Sequence, residues 1–187
     1  MSPLLSTTFG LVFAAWIALE VGLLAREGAG LLAPSDRASA LAIIMTVVIA
    51  ANGALACAAL GLGALAGEGV RWTGVGLMAA GLAFRVWAIA SLGRFFTAVV
   101  RTQGGQGVVR RGPYRVLRHP SYTGTFGTLI GFGLALGTWP GVGLLLVLPL
   151  PAYIYRMAVE ERALRAALGP AYAAYMRITW RLFPGLW

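Results

Sequence analysis

Long apolar runs dominate this chain and limit the kind of fold that it can adopt. A bilayer core about 30 Å thick is crossed by roughly 20 apolar residues in a helix. Charged residues make up only 11% of the 187 residues, far below the roughly 25% of a typical soluble domain. The pattern therefore predicts an all-α, polytopic integral membrane protein of about five transmembrane helices, at Leu4–Leu24, Ser39–Ala66, Trp72–Leu92, Ser121–Trp139 and Pro140–Val159.

The chain length fits a single membrane domain over residues 1–187. We expect two N-terminal spans in residues 1–70 and the core that carries the polar motifs in residues 71–187. Pro149 and Pro151 should kink or break the fifth span. Beyond it, a short helix from Glu160 should stop at Gly169, and a second helix should begin at Pro170 and run to about Ile178.

The basic residues are distributed unevenly along the chain. All 15 are arginine, and five spans would place all of them on one side except Arg71 and the mid-span Arg85. The positive-inside rule makes that side cytoplasmic, with the N-terminus outside. We expect the inner membrane of a bacterial or archaeal cell, and contact with anionic lipids. Nucleic-acid binding is not expected, because no nucleic-acid-binding module accompanies the charge.

Several familiar kinds of site are excluded by composition. One histidine and one cysteine cannot build a zinc site of the usual kind, so no metal is expected. Asp36 is the sole aspartate and lies in a different loop from His119, which leaves no Ser-His-Asp set. No Rossmann or Walker pattern occurs between a strand and a helix.

His119 is the first residue that could carry chemistry. It lies where the loop after the third span re-enters the membrane, flanked by Arg118 and Tyr122. Pro120 favours a non-helical residue before it and can begin the next helix, which would point nearby side chains at a pocket. A structural role and a functional role both fit a histidine at such a position.

Glu160 and Glu161 form the second signal, at the cytoplasmic end of the fifth span. Neighbouring helix positions point about 100° apart, so the two carboxylates cannot serve one ligand equally. One could hold a ligand ammonium or hydroxyl while the other caps a helix. The alternative is a solvated helix start, where the helix dipole favours acids.

Arg85 is the third signal, because an arginine within a span costs at least ~2.5 kcal/mol on insertion scales. It should therefore face a polar cavity or a partner, unless its side chain reaches the interface by snorkelling. Facing inward, its planar guanidinium would suit an anionic substrate group, a carboxylate in particular.

The run from Val108 to Gly124 resembles the signature of the isoprenylcysteine carboxyl methyltransferase family and its phospholipid methyltransferase relatives. It contains Gly-Pro-Tyr, a short spacer, Arg-His-Pro-Ser-Tyr and a glycine. Those families continue with a helical hairpin and a Glu-Glu pair, as at Glu160-Glu161. The tail pattern also matches, and the resemblance covers about residues 80–187, with tail matches at Leu164, Gly169 to Tyr172, Tyr175, Arg181 and Pro184.

The resemblance implies a pocket for S-adenosyl-L-methionine, capped by the cytoplasmic loop and the C-terminal helices. It also implies a lipophilic small-molecule or lipid-modified substrate. The catalytic candidates that it gives are Arg85, Arg156 and Glu160. The candidates for cofactor binding are Val109, Pro113, Tyr114, Arg118, His119, Tyr122, Gly124, Glu160 and Glu161.

The resemblance also implies a carboxylate acceptor, such as that of an isoprenylcysteine-like substrate, and the chemistry agrees with it. A carboxylate is ionised at neutral pH and needs no general base, so orientation can supply much of the rate. Methylation of a small thiol or a phospholipid amine stays open. So do a membrane reductase of the sterol-reductase type that uses NADPH, and a non-catalytic membrane subunit. The oligomeric state is open as well.

Overall fold

The computed structural model describes residues 2–27, 34–93 and 107–185, with the backbone alone at 26–27 and 34–37. Within these ranges the regular structure is helical apart from two isolated bridges, which confirms the all-α prediction. A short 3₁₀ helix, Gly112–Arg115, precedes α4. The α-helices are α1 (Pro3–Glu27), α2 (Pro34–Ala59), α3 (Glu68–Leu92), α4 (Pro120–Leu136), α5 (Trp139–Val147) and α6 (Leu150–Arg177).

Most of these helices are long and apolar enough to cross a bilayer. Among the described residues, four stretches have this character: Pro3–Ala25, Ala38–Ala59, Glu68–Leu92 and Trp139–Arg177. Helix α4 has 17 residues, about 25 Å of helix, at the short end of the range that spans a membrane. The chain is therefore an integral membrane protein, and each predicted span corresponds to a helix or, for the last, to α5 with the first part of α6.

The second predicted span is wrong at its end, because α2 stops at Ala59 rather than Ala66. Gly61 and Gly63 have positive φ values of 67° and 56°, a conformation that ends a helix and favours glycine. The chain then pairs with the turn before α5, where the Trp139 amide donates to the Gly63 carbonyl at 3.1 Å.

The C-terminal part differs from the prediction in one respect. The predicted break near Pro149 is confirmed, since α5 ends at Val147 and α6 begins at Leu150. No new helix begins at Glu160, however: α6 runs through that residue without interruption. Its interruption lies at Gly169, with φ 53° and ψ −131°, where the sequence predicted one.

Helices α3 and α4 cross with their backbones almost in contact. A Cβ added to Gly131 would lie 2.3 Å from the Met78 amide nitrogen, and one added to Gly74 would lie 2.3 Å from the Ala135 nitrogen. Residues without side chains are what permits such an approach in lipid. Glycines at these positions thus allow α4 to pack closely on α3.

The interior of the bundle is filled by aromatic and aliphatic side chains. Phe9 and Phe13 of α1 stack on Phe132 of α4, with ring centroids 5.9 and 5.6 Å apart. The outer faces are apolar too, as at Leu4 and Val147, which are 69% and 70% exposed. An apolar surface of this kind is expected where lipid, not water, is the solvent.

The two ends of the bundle differ in charge. At the first end, which we call the opposite rim, Arg71 donates to the Leu136 carbonyl at the end of α4 at 2.8 Å. At the other end, which we call the site rim, α3 ends, α4 begins and the polar half of α6 emerges. The described arginines that the sequence assigns to one side lie on the site rim: Arg110, Arg111, Arg115, Arg118, Arg156, Arg162, Arg165, Arg177 and Arg181. Arg94 and Arg101, the side chains of Arg26 and Arg37, the glycine-rich part of the loop before residue 107, and Trp187 lie outside the described residues.

Candidate functional site

The site rim is organised by pairing between two segments that are distant in the chain. The Trp180 amide donates to the Val116 carbonyl at 2.9 Å, and the Trp180 carbonyl accepts from the Arg118 amide at 2.7 Å. The His119 amide continues the pattern by donating to the Arg181 carbonyl at 3.0 Å. The C-terminal segment thus runs alongside the loop that leads into α4 and fixes the backbone that carries His119.

His119 lies between the two acids. Its backbone is non-helical, with φ −124° and ψ 55°, and Pro120 begins α4 as predicted. Its Nδ1 atom is 3.4 Å from a Glu160 oxygen and its Nε2 atom is 3.3 Å from a Glu161 oxygen. The imidazole also stacks on the Tyr122 ring, with centroids 5.6 Å apart. The structure thus brings the histidine and the acid pair into one cluster.

The two carboxylates change the protonation of this histidine. Burial alone would lower the pKa of His119, because desolvation penalises the charged form. Hydrogen bonds to Glu160 and Glu161, together with their negative charge, outweigh burial and raise the pKa above its ordinary value. The cluster therefore favours an imidazolium that donates from both ring nitrogens.

Glu161 is the structural centre of the rim. It is 1% exposed and accepts from Arg118 Nε at 3.0 Å and from Arg181 Nε and Nη2 at 3.1 and 2.9 Å. Arg165 lies further out, 3.6 Å from the second oxygen. These contacts join α6, the loop before α4 and the C-terminal segment through one carboxylate.

Glu160 has a more accessible environment. Its side chain is 21% exposed against 1% for Glu161. It accepts from the Tyr122 hydroxyl and, at 3.0 Å, from Arg156 Nε one helical turn earlier. Arg156 is itself buried and donates to the Ser39 hydroxyl of α2 at 2.8 Å. Of the two acids, Glu160 thus has the more exposed side chain.

Arg85 points into the bundle, which excludes the snorkelling alternative. It is 8% exposed and forms an ion pair with Glu20 of α1, Nη2 to Oε2 at 2.9 Å. It also donates to the Thr125 hydroxyl of α4, one turn after Ser121. Its Nε atom and the Ser121 hydroxyl are buried without a partner among the described residues.

Tyrosines support the loop before α4. The Tyr175 hydroxyl, in the last turns of α6, donates to the Tyr114 carbonyl at 2.8 Å. Burial and, after it, the charge of Glu160 raise the pKa of Tyr114 well above its ordinary value. Pro113 is buried beside it, whereas Val109 is half-buried. Tyr114 therefore belongs to the site rim as a neutral hydroxyl.

Gly124, a predicted cofactor contact, lies where α3 and α4 touch. A Cβ at this position would be 2.7 Å from the backbone nitrogen of Arg85 and 2.7 Å from the Gly81 carbonyl. Close packing of α4 on α3 is thus enough to account for a glycine here.

Sequence reasoning missed three residues that the structure places at the rim. Glu20 was recognisable as the only charge in the first span, and hence as a partner for the mid-span Arg85. Arg181 appeared only as part of the tail pattern. Ser39 carried no signal, because a lone serine at the start of an apolar run is commonplace.

A comparison with protein families identifies the family of this chain. The segment from residue 70 to residue 171 matches the family model described as phospholipid methyltransferase, and it covers more than half of the chain. The chain belongs to the phospholipid methyltransferase family. None of the curated proteins matches it.

In this phospholipid methyltransferase family member, the matched segment holds most of the predicted site residues. It includes Arg85, His119, Arg156 and the acid pair, and it ends within α6. Helices α1 and α2 and the C-terminal segment lie outside it. The chain outside the matched segment therefore contributes three further residues that contact those of the segment: Glu20, Ser39 and Arg181.

Proposed function

We propose that this member of the phospholipid methyltransferase family transfers a methyl group from S-adenosylmethionine to a lipophilic acceptor at the site rim. The meeting of His119 with Glu160 and Glu161, each within 3.4 Å, carries the proposal. These polar residues lie at the end of a membrane bundle and within the segment that matches the family. A water-soluble cofactor and a membrane-embedded acceptor could meet there.

The donor set of the rim fits the cofactor. The amino-acid end of S-adenosylmethionine carries an ammonium and a carboxylate, which pair with a carboxylate and with guanidinium groups respectively. Glu160 offers a carboxylate for the ammonium. Arg118 and Arg181 border the same cluster and offer guanidinium groups for the carboxylate of the cofactor. The unpartnered hydroxyl of Ser121 is a buried polar atom that a ligand could satisfy.

The two glutamates then divide into a ligand contact and a structural residue. Glu161 is fully buried and already paired with Arg118, Arg181 and His119. The Glu160 side chain is more exposed than that of Glu161. We infer that Glu160 contacts the cofactor, whereas Glu161 holds the rim together.

Little further catalytic machinery is needed for this reaction. Bound S-adenosylmethionine would supply a methyl group on a sulfonium, which would pass to the acceptor atom as the carbon–sulfur bond breaks and S-adenosylhomocysteine leaves. A carboxylate acceptor needs no general base, whereas an ammonium would first have to lose a proton. The residues of the rim contribute orientation and exclusion of water, which can account for much of a rate enhancement. Arg85 and Arg156 are our candidates for holding the acceptor.

The nature of the acceptor atom is the finer part of the proposal. An isoprenylcysteine-like carboxylate is the acceptor that the sequence predicts, with Arg85 as its anchor. In the structure, however, Arg85 is already paired with the carboxylate of Glu20 at 2.9 Å. A second carboxylate would be repelled by Glu20, and this observation favours an amine as a second candidate.

We further propose that the site rim faces the cytoplasm of a bacterial or archaeal cell and that the N-terminus lies outside. The arginines at this rim and the positive-inside rule support this orientation.

Calorimetry on the purified protein tests the cofactor. We expect micromolar binding of S-adenosylhomocysteine and no binding of NADPH. Binding of NADPH alone would instead indicate the reductase alternative. If neither ligand binds, both the methyltransferase and the reductase function are contradicted. Transfer of radiolabelled methyl groups to prenylcysteine analogues, thiols and phosphatidylethanolamine would then identify the acceptor class.

Variants of the site separate the two roles. Glu160→Gln should weaken S-adenosylhomocysteine binding about tenfold, as expected for a lost charge-assisted hydrogen bond. Arg85→Ala should remove turnover and spare that affinity. Arg162→Ala, an exposed arginine on the same helix as Glu160, is the control and should leave both unchanged. Equal loss of affinity in the Arg85 and Glu160 variants would contradict the division of roles.

A further inference from the structure

The lipid-facing surface of α2 carries an amide side chain, that of Asn52. This residue is the only asparagine of the chain, and it is exposed. The middle of the apolar stretch Ala38–Ala59 falls between residues 48 and 49, and Asn52 lies about 5 Å beyond it along the helix. Asn52 is therefore placed within the hydrocarbon core of the bilayer rather than at either rim.

The helix that carries Asn52 satisfies only part of its amide. The side-chain Nδ2 donates to the Val48 carbonyl, one turn earlier, at 2.8 Å. A primary amide has a second N–H and a carbonyl oxygen, and no described residue bonds to either of these. The exposed Thr7 and Thr73 differ, because each donates its single hydroxyl hydrogen to a carbonyl of its own helix. An amide with unpaired groups is costly in lipid, where no water can replace a missing partner.

The exposed residues on either side of Asn52 form a continuous face along α2. They recur at alternating steps of three and four positions, and we call them the α2 seam: Ala42, Met45, Ile49, Asn52, Ala56 and Ala59. This alternation is typical of two helices that cross at about 20°. Alanines within the seam would let a second helix approach closely. The opposite face of α2 already packs in the bundle, since Ala50 and Ala54 are 1% and 0% exposed.

A second copy of the same chain is the partner that this seam fits. The unequal charge of the two rims gives every copy the same orientation in the membrane. A two-fold axis along the membrane normal would then bring two α2 helices together in parallel, with each Asn52 at the depth of its counterpart. Because an amide is both a donor and an acceptor, each Oδ1 can accept from the free N–H of the other copy. A lipid chain offers neither group.

We propose that the α2 seam joins two copies of the protein into a parallel homodimer, with reciprocal hydrogen bonds between the two Asn52 side chains. The contact leaves the site rim free, because Ser39, the α2 residue that contacts Arg156, is buried in its own bundle and lies outside the seam. Each copy therefore keeps its own cluster of site residues. Helix α2 lies outside the segment that matches the family, and the proposal does not depend on the methyltransferase function.

Energy transfer between labelled copies in liposomes tests the association. Protein with Cys57→Ser and Arg162→Cys is labelled at the exposed position 162 with either a donor or an acceptor dye, and the two samples are mixed before reconstitution at decreasing protein-to-lipid ratios. We expect energy transfer that saturates at the level of a dimer at high density and falls on dilution with lipid. The dilution series gives the dissociation constant of the dimer.

Substitutions of Asn52 test the hydrogen bonds. Asn52→Leu should raise the dissociation constant about tenfold, the effect of losing two hydrogen bonds between helices. Asn52→Gln retains an amide and should keep most of the association. Thr73→Val, which removes an exposed hydroxyl from α3, is the control and should leave the dissociation constant unchanged.

A second pair of variants tests the face itself. Ala56→Phe places a bulky ring in the seam and should weaken the dimer, because it holds the two helices apart. Ala80→Phe adds the same ring to an exposed position on α3 and should have no effect. This pair gives an answer even if a substitution of Asn52 prevents folding.

The proposal is overturned if the wild type is monomeric at every density, or if Asn52→Leu associates as well as the wild type. It is also overturned if Asn52→Gln loses as much affinity as Asn52→Leu, or if the two phenylalanine variants behave alike. Monomers in liposomes together with a larger complex extracted from native membranes would assign the seam to a different protein and would equally exclude the homodimer.

Discussion

At the scale of residues, the charges of this protein are paired across long stretches of chain. Glu161 pairs with Arg118, and Glu20 pairs with Arg85, 65 positions later. The sequence could place His119 and the acids on one side of the membrane, because counting spans is enough for that. The pairing of Glu20 with Arg85 could not be predicted from the sequence. Helix α1 is almost evenly apolar around its axis, so its sequence does not show which face turns inward.

The two acids should respond differently to the same substitution. Glu161→Gln removes the negative charge that Arg118, Arg181 and His119 share, at a cost of about 3 kcal/mol. The midpoint of thermal unfolding in detergent should fall by about 5–10 °C. Glu160→Gln, with its more exposed side chain, should lower the midpoint less. If the unfolding midpoint fell equally in the two variants, Glu161 would contribute no more to stability than Glu160.

His119 should make the stability of the protein depend on pH above the ordinary pKa of a histidine. Because its pKa is raised in the folded state, the imidazolium stabilises the fold. That contribution is complete below the pKa of an unfolded histidine, about 6.5, and is lost as the pH rises through the higher folded value.

Unfolding midpoints measured across this range for the wild type and His119→Gln test the linkage. We expect the wild type to lose its advantage over the variant as the pH rises. His119 is the only histidine, so no other imidazole contributes to the difference. Parallel curves would show that the imidazole does not gain a proton on folding.

At the scale of elements, the contact of α3 with α4 permits a sharp comparison on one helix. Gly131→Ala would place a methyl 2.3 Å from the Met78 backbone, whereas at Gly127 the nearest atom is 3.4 Å away. Overpacking of this kind costs about 1–3 kcal/mol. Gly131→Ala should therefore lower the unfolding midpoint, with Gly127→Ala as the tolerated control. If Gly131→Ala were as stable as Gly127→Ala, the close approach would be wrong.

The elements were predictable where local chemistry decides them and less so where distant contacts do. The starts of α4 and α6 and the interruption at Gly169 follow from proline and glycine. The end of α2 depends on pairing with the turn near Trp139, which no local pattern encodes. Helix α6 continues past Glu160 because glutamate is a good helix former and neither glycine nor proline interrupts the helix between Glu160 and Gly169.

At the scale of the whole molecule, the orientation in the membrane can be measured directly. In a Cys57→Ser background, single cysteines replace exposed residues at the two rims, Ala66 at the opposite rim and Arg162 at the site rim. A membrane-impermeant maleimide should label Ala66→Cys in intact cells and Arg162→Cys only after permeabilisation. The reverse pattern would place the site rim outside.

The near-contact of the α3 and α4 backbones has a consequence for how the protein meets bilayers of different thickness. With so little between the two helices, neither can slide along the other without a clash of main-chain atoms. Hydrophobic mismatch should therefore tilt the pair as one body, leaving the spacing between Arg85 and Ser121 unchanged. Acyl-chain length of the host lipid should then alter how deeply the molecule sits while the geometry around Arg85 stays the same.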